Sequence, residues 1–308
     1  METVDVIIPV YKPDRRFLTM LEKLQAQTVP VSRIILMNTE QKYLDRLLYG
    51  TTLEREYHNI TVKHLSKREF DHGRTRNLGV KLSDADVFLM MTQDAIPADE
   101  YLVERLLESL RGEKVAAAYA RQLPNEDSSE TERYTRQFNY PGESCVKTKA
   151  DLPALGVKTF FCSNVCAAYR RELFDRLGGF VNRTIFNEDM LYAAKAVEAG
   201  YGIAYAAQAR VYHSHNYTYR QQFHRNFDLG VSQAEHPEVF AAYPSESEGI
   251  RLVKDTVAHL KEKGMWNKIP GLIIQSGFKY MGYLLGKRYR RLPRRLTVAF
   301  SSNREYWS

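Results

Sequence analysis

Short apolar runs alternate with amphipathic stretches through the first two-thirds of the chain. Val4–Val10, Arg33–Met37, Val87–Met91 and Ala116–Ala120 read as apolar, buried strands, and Ile60–His64 looks like a further strand. The segments between them carry helical spacing. Tyr11-Lys-Pro13-Asp opens a helix whose Phe17, Leu21 and Leu24 share one face, with Pro13 suited to a first turn, where a missing N–H costs nothing. A short helix runs on from Phe70–Gly79 through Leu82, and Glu100–Leu110 forms another. Such alternation predicts an α/β fold with a mostly parallel central sheet and helices on both faces. Further along come a strand at Ala167–Arg171, a helix ending at Gly178-Gly179-Phe180, a helix Leu191–Ala199 closed by Gly200, and two short strands, Ile203–Ala207 and Ala209–Tyr212. Between Leu123 and Lys158 the sequence is polar and irregular, the pattern of a lid or substrate loop. Beyond Tyr219 the helical pattern returns, and Trp266–Tyr289 places Ile269, Leu272, Ile273, Tyr280, Met281, Leu284 and Leu285 in near-helical register.

The polar residues that end these runs are the candidate chemistry. Asp86-Val-Phe-Leu-Met-Met-Thr-Gln-Asp94-Ala-Ile-Pro97 delivers a carboxylate to the carboxyl end of a strand, the edge where ligands collect in open α/β sheets. Asp94 is therefore placed to hold a metal ion or, through one, a nucleotide phosphate, although a solvated turn aspartate has the same pattern. Gly73 permits close backbone approach, and Arg74 and Arg76 suit a phosphate at a helix N-terminus. Glu188 and Asp189 open a helix, where acids also complement the dipole. His213 and His215, two apart, point the same way from an extended chain, a geometry open to metal or phosphate.

Composition narrows the class. With 308 residues, 44% hydrophobic and 12% aromatic, the chain can bury one large domain plus an appendage. Cys145, Cys162 and Cys166 have no CxxC spacing and are expected to be reduced, mostly buried thiols. No run reaches the roughly 18 apolar residues of a membrane span, and Met1–Pro9 lacks a secretory signal, so a cytoplasmic location is expected. The net charge of +7 is local: Lys263–Arg304 holds ten Lys/Arg and no Asp/Glu, leaving 7 − 10 = −3 for the rest. An apolar, aromatic helix face beside these cations is what lying on an anionic membrane surface requires. The net-negative body lacks the basic stripe of a nucleic-acid binder, so no nucleic-acid partner is expected.

In order along the chain, Val6-Ile-Ile-Pro-Val-Tyr11, a strand ending near residue 38, Gly73-Arg-Thr-Arg-Asn-Leu-Gly79, the Asp94 strand, Gly178-Gly-Phe180 and Asn187-Glu-Asp189 resemble family 2 glycosyltransferases. These have the GT-A, or nucleotide-diphospho-sugar transferase, fold, and the resemblance covers about residues 4–230. More narrowly, Phe70–Gly79, Thr92-Gln-Asp-Ala95 and Tyr212–Thr218 are similar to bacterial rhamnosyltransferases of surface polysaccharide synthesis. The resemblance implies a catalytic domain at 1–230, with a donor-binding half at about 1–97 and an acceptor and base half at about 98–230. A helical, basic, membrane-associating region follows at 231–308.

It further implies inverting transfer with a single general base. Asp189 matches the family's catalytic aspartate, with Glu188 orienting it or the acceptor. Asp94 matches the last acid of the family's Asp-x-Asp motif, which binds Mn²⁺ or Mg²⁺. Thr92 stands where the first Asp is usual and Gln93 in the middle, so a further ligand is expected from His213 or His215, the latter slightly favoured. Pro9, Tyr11 and Asn38, the last in place of an Asp, fall where the family grips base and ribose. Arg76 matches a nucleotide and diphosphate contact, Asp71 a ribose or base contact, and Gln93 joins Asp94 in the nucleotide-sugar site. The implied partners are dTDP-β-L-rhamnose as donor, a polyprenyl-diphosphate-linked saccharide as acceptor, and the inner face of the cell membrane; a homo-oligomer is compatible with all of these. The alternatives are another donor, such as a UDP-sugar, and a catalytically degenerate membrane-bound scaffold, given the lost carboxylate.

Overall fold

The computed structural model of the protein describes residues 2–52, 56–243 and 246–308. The chain divides into two compact units. The first takes in Met1–Leu123, Pro141–Arg183 and Glu188–His213, and the second Pro124–Tyr140, Thr184–Asn187 and Ser214–Ser308.

Nine strands of the described residues form one sheet in the first unit. They are β1 (Val4–Tyr11), β2 (Arg33–Thr39), β3 (Ile60–Leu65), β4 (Val87–Met91), β5 (Ile96–Pro97), β6 (Val115–Leu123), β7 (Cys145–Lys147), β8 (Cys166–Arg170) and β9 (Gly202–Tyr212). Their order is β3-β2-β1-β4-β8-β6-β9-β5, with β7 on β9. The strands β3, β2, β1 and β4 run parallel, as do β6 and β9. Residues of β1, β2 and β4 are buried on both faces, which explains their unbroken apolar runs. Between β4 and β6 lies β8, antiparallel to both, so that its first residue, Cys166, pairs with the last of β4, Met91. That reversal brings the segment before β8 to the carboxyl ends of the parallel strands.

The helix Arg15–Gln25 buries Phe17, Met20, Leu21 and Leu24. Asp14 caps it through a bond from Arg16 N, so Pro13 stands outside the first turn it was expected to occupy. The helix His72–Lys81 starts against the backbone of Val181: a Cβ on Gly73 would sit 1.7 Å from the Val181 carbonyl oxygen, which accounts for the glycine. Two other expectations are corrected. The two short strands at 203–212 are one strand, because the residues between them bulge: Ala120 pairs with Ala206 but Arg121 with Arg210. The stretch 124–158 is not irregular. It contains the helix Glu130–Asn139, capped by Ser129, and strand β7. That helix buries none of its residues, so it has no apolar stripe to betray it. All three cysteines are free; Cys162 and Cys166 are buried, and Cys145 is exposed. Burial pushes the Cys162 thiol up to about 12.

The second unit is helical. Its helices Tyr219–Glu235 and Ile269–Lys287 meet backbone to backbone along a seam of glycines. A Cβ on Gly230 would lie 2.3 Å from Tyr283 O, one on Gly282 2.3 Å from Phe223 O, and one on Gly286 2.1 Å from Phe227 O. Around one end of the seam Ile185, Phe227 and Val231 form a small core with Tyr289, Leu292, Phe300 and Trp307. Away from the seam, Ile273, Ile274, Tyr280 and Met281 are each about half exposed, at 51%, 49%, 55% and 48%. Among the described residues no helix is long and apolar enough to cross a membrane.

The seam predicts a sharp contrast between glycines. Gly286→Val should destabilise the protein by about 2–3 kcal/mol through overpacking, measured as the shift in a chemical unfolding midpoint. Gly277→Ala, where an added Cβ meets nothing within 4 Å, should be neutral or stabilise by up to about 1 kcal/mol.

Candidate active site

Because β1, β2 and β4 are parallel neighbours, Tyr11, Asn38 and the Thr92–Asp94 segment emerge at one edge of the sheet. Gln93 ties two of these ends together: its Oε1 accepts from Tyr11 N at 2.8 Å and its Nε2 donates to Tyr11 O at 3.0 Å. A side-chain amide thus completes a strand-like pair beyond the end of β4. The Tyr11 ring is exposed, edge-on to Tyr43 at 5.6 Å, with the ammonium groups of Lys12 and Lys67 at 5.4 and 5.5 Å. Pro9, half-buried, pairs with Met37. Asn38 is fully buried. Its Nδ2 lies 2.9 Å from Nδ1 of His64, while its Oδ1 has no hydrogen-bond partner among the described residues. A buried orphan acceptor is costly to leave unmatched.

Asp94 Oδ1 lies 3.5 Å from Nε2 of His213. The other ring nitrogen of His213, Nδ1, is 3.0 Å from Oε1 of Gln122, and Gln122 Nε2 in turn donates to Ser163 Oγ at 3.0 Å. An amide oxygen can only accept, so Nδ1 donates to Gln122, and Nε2 is the ring nitrogen that faces Asp94. This is how a metal-binding histidine is usually held, and a carboxylate oxygen with an imidazole nitrogen is a donor set suited to a divalent transition ion. His213 is buried, whereas His215 belongs to the second unit, where it stacks on Tyr217 at 4.8 Å. Thr92 contributes no charge, and its buried hydroxyl has no partner among the described residues.

A second cluster of the first unit surrounds the start of the helix Glu188–Glu198. Asp71 caps the neighbouring helix His72–Lys81, accepting from Gly73 N and Arg74 N at 2.9 Å each. The anion expected at that N-terminus is thus the protein's own carboxylate. Arg76 is buried. Its Nη1 donates to His72 O at 3.0 Å and its Nε lies 3.3 Å from Glu188 Oε1, close enough to pair though out of line for a hydrogen bond. Glu188 also accepts from Asn164 Nδ2 at 3.0 Å. The backbone N–H of the same Asn164 donates to Asp189 Oδ2 at 2.9 Å, and Met190 N donates to Asp189 Oδ1 at 2.8 Å. Behind them Tyr169 OH donates to Asn164 Oδ1 at 2.7 Å, fixing the amide.

These contacts separate two adjacent carboxylates in chemistry. Burial pushes Glu188 up, but Arg76, His72 and the Asn164 amide more than reverse this and hold it below the ordinary carboxylate range. Burial, and then the charge of Glu188, push half-buried Asp189 up to about 7, against the two backbone N–H bonds that favour its ionised form. One acid stays charged, and the other can gain and lose a proton near neutrality. That division suits a structural anion beside a general base.

The structure thus groups the predicted residues into an edge made of Pro9, Tyr11, Asn38, Gln93, Asp94 and His213, and a cluster made of Asp71, Arg76, Glu188 and Asp189. Sequence reasoning passed over Asn164, Tyr169 and Gln122. Gln122 had a usable signal, a polar residue at the end of an apolar strand, as at Asp94. Asn164 lies in Phe160–Cys166, which has no such pattern.

Known proteins share this sequence and this arrangement of strands. The sequence model of the family described as Glycosyl transferase family 2 matches residues 5–178. Over 308 residues the chain is 39% identical to the O-antigen chain rhamnosyltransferase RfbN of Salmonella typhimurium, covering 99% of the chain and 96% of the relative. It is 38% identical over 312 residues to the O-antigen chain rhamnosyltransferase WbaN of Salmonella anatum, covering 100% of the chain and 96% of the relative. Among solved structures it is similar to the mannosyltransferase PcManGT from Pyrobaculum calidifontis, in complex with GDP-Man and Mn²⁺. The TM-score is 0.58 at 13% identity, over 99% of this chain and 85% of that one. S. aureus TarS 1-349 in complex with UDP-GlcNAc gives a TM-score of 0.55 at 13% identity, over 94% and 91%. Likeness at such low identity concerns the fold alone, and that fold is the GT-A fold expected from the sequence. By the family match and by relatives that align along almost their whole length, the chain belongs to glycosyl transferase family 2 and is a glycosyltransferase.

Proposed function

We propose that the chain transfers L-rhamnose, with inversion, from dTDP-β-L-rhamnose to a saccharide carried on a polyprenyl diphosphate, in the synthesis of a cell-surface polysaccharide. The sugar is supported by the rhamnosyltransferase names of the relatives at 39% and 38% identity. The mechanism rests on one arrangement: Asn164 bonds both acids, while burial and the charge of the adjacent Glu188, itself paired with Arg76, bring Asp189 to about 7. Asp189 takes the proton of the acceptor hydroxyl as that oxygen attacks the anomeric carbon, and the nucleoside diphosphate leaves from the opposite side. Glu188, fixed by Arg76 and Asn164, keeps the Asp189 proton affinity high enough for that transfer.

Asp94 and His213 hold a divalent ion in this reading, with His215, two residues along the chain, as a further ligand. When bound, the ion neutralises charge on the leaving diphosphate. One carboxylate with imidazoles is a less anionic, softer donor set than two carboxylates, which favours Mn²⁺ over Mg²⁺. Tyr11 and Asn38 take the nucleoside, the orphan Oδ1 of Asn38 accepting a base N–H. The exposed apolar face of the helix Ile269–Lys287, with exposed Arg288, Arg290, Arg291, Arg294 and Arg295 following, rests on the anionic inner face of the cell membrane.

Four measurements test this. Purified protein with a panel of dTDP-, UDP- and GDP-sugars should release nucleoside diphosphate selectively from dTDP-rhamnose, faster with Mn²⁺ than with Mg²⁺, and not with EDTA. Preference for a UDP-sugar would overturn the rhamnose assignment. Asp189→Asn should lower transfer about 100- to 10,000-fold while leaving donor binding within about twofold. The folded value of Asp189 lies above that of a free carboxylate. Its ionisation therefore weakens the fold as pH rises from about 4 to about 7, while transfer rises with pH along a limb centred near 7. Glu188→Gln should move that limb to lower pH, and an unmoved limb would remove Asp189 as the titrating base. Finally, Ile273→Glu with Ile274→Glu should weaken binding to anionic vesicles about tenfold or more in a flotation assay; unchanged flotation would remove the helix face from membrane contact.

A further inference from the structure

The second unit contains a cavity of about 580 Å³ at the start of the helix Tyr219–Glu235, walled on one side by that helix and on the other by residues 299–304. Three arginines line it: Arg220, Arg225 and Arg304. Among the described residues, none of the three has a carboxylate within ion-pairing distance. They are nevertheless held in place. Arg225 lies over the rings of Tyr217 and Phe186 at 4.8 and 5.4 Å. Arg220 Nε donates to His224 Nε2 at 3.2 Å, and Nδ1 of that histidine lies 2.7 Å from Phe300 O, so both ring nitrogens are engaged by the protein. The carboxylate of buried Asp228 does not line the cavity. It accepts from Ser302 N at 2.9 Å and from the Ser302 hydroxyl, and so braces the wall on which Arg304 stands.

Three like charges facing one volume repel, and each guanidinium presents a planar fork that matches phosphate oxygens. A compact polyanion relieves the repulsion and uses the forks. Beside the cavity the surface turns apolar. Tyr219, next to Arg220, stacks on Phe278 at 5.6 Å, with its hydroxyl over Gly271; exposed Ile274 stands on the same helix between those two positions. Charge in a pocket followed by an apolar platform is the complement of an amphiphile with an anionic head.

We propose that this cavity binds the diphosphate of a lipid-diphosphate acceptor, Arg220, Arg225 and Arg304 taking the phosphate oxygens while the lipid's first carbons lie along Tyr219 and Phe278. The proposal rests on the reading that the acceptor is lipid-linked. It adds where on the chain the lipid's head is held.

The test is titration calorimetry of the full chain with farnesyl diphosphate, farnesol and inorganic pyrophosphate. Farnesyl diphosphate is expected to bind about tenfold or more tighter than either fragment, and Arg220→Ala with Arg304→Ala to weaken it about tenfold or more. Should the double variant fail to fold, Arg304→Gln alone, at an exposed position, carries the comparison. Equal binding by wild type and variant overturns the site. Pyrophosphate binding as tightly as farnesyl diphosphate overturns the lipid as its source. Hydrolysis of dTDP-rhamnose by the wild type is followed in parallel. A chain that hydrolyses the donor but binds farnesyl diphosphate no better than farnesol overturns the site and spares the function. A chain that binds farnesyl diphosphate in the expected order but acts on no donor supports the site and overturns the function.

Discussion

Two carboxylates on consecutive residues at the start of one helix repel each other, and a single asparagine makes the arrangement stable. Asn164 gives its side-chain N–H to Glu188 and its backbone N–H to Asp189. It can serve both only because Tyr169 pins its amide oxygen and because β8 runs antiparallel beside β4, which carries residue 164 to the sheet's functional edge. Arg76 supplies the compensating charge on one side only. The asymmetry leaves Glu188 a fixed anion and Asp189 a titrating one. Remove the antiparallel strand and the two acids lose the asparagine they share.

The same edge follows a similar economy of side-chain amides. Gln93 and Gln122 each use both ends of the amide, Gln93 to lock Tyr11 and Gln122 to set the tautomer of His213. Where the family commonly has two acids, this chain has Asp94 facing the Nε2 atom of His213. The departure at Thr92 therefore changes the charge of the donor set without leaving Asp94 to act alone.

The strands whose residues are buried on both faces were legible because burial is written directly in composition: Val87–Met91 has the same limits in the sequence reading and in the structure. Asp94 was legible from the apolar strand it follows, whereas Glu188 and Asp189, which also fit a helix start, took a catalytic reading only from the chain-order resemblance. The helix Glu130–Asn139 escaped because none of its residues is fully buried, and the bulge in β9 looked like a turn because pattern alone cannot distinguish extra residues inside a strand from a break between two. Asn164 escaped for a different reason. Its importance lies in two hydrogen bonds to residues 24 and 25 positions later, and no local periodicity records contacts of that range.

In the helix Ile269–Lys287 the usual relation between residue type and direction is reversed. An amphipathic helix normally turns its large apolar residues toward its partner, yet here the partner-facing side is Gly282 and Gly286, pressed against another backbone. Ile273, Ile274, Tyr280 and Met281 are left on the outside. A seam of bare backbone needs no large apolar side chains to fill it, and the helix carries several of them on its exposed side. In such a helix it is the spacing of glycines, and not the hydrophobic stripe, that tells which way is in.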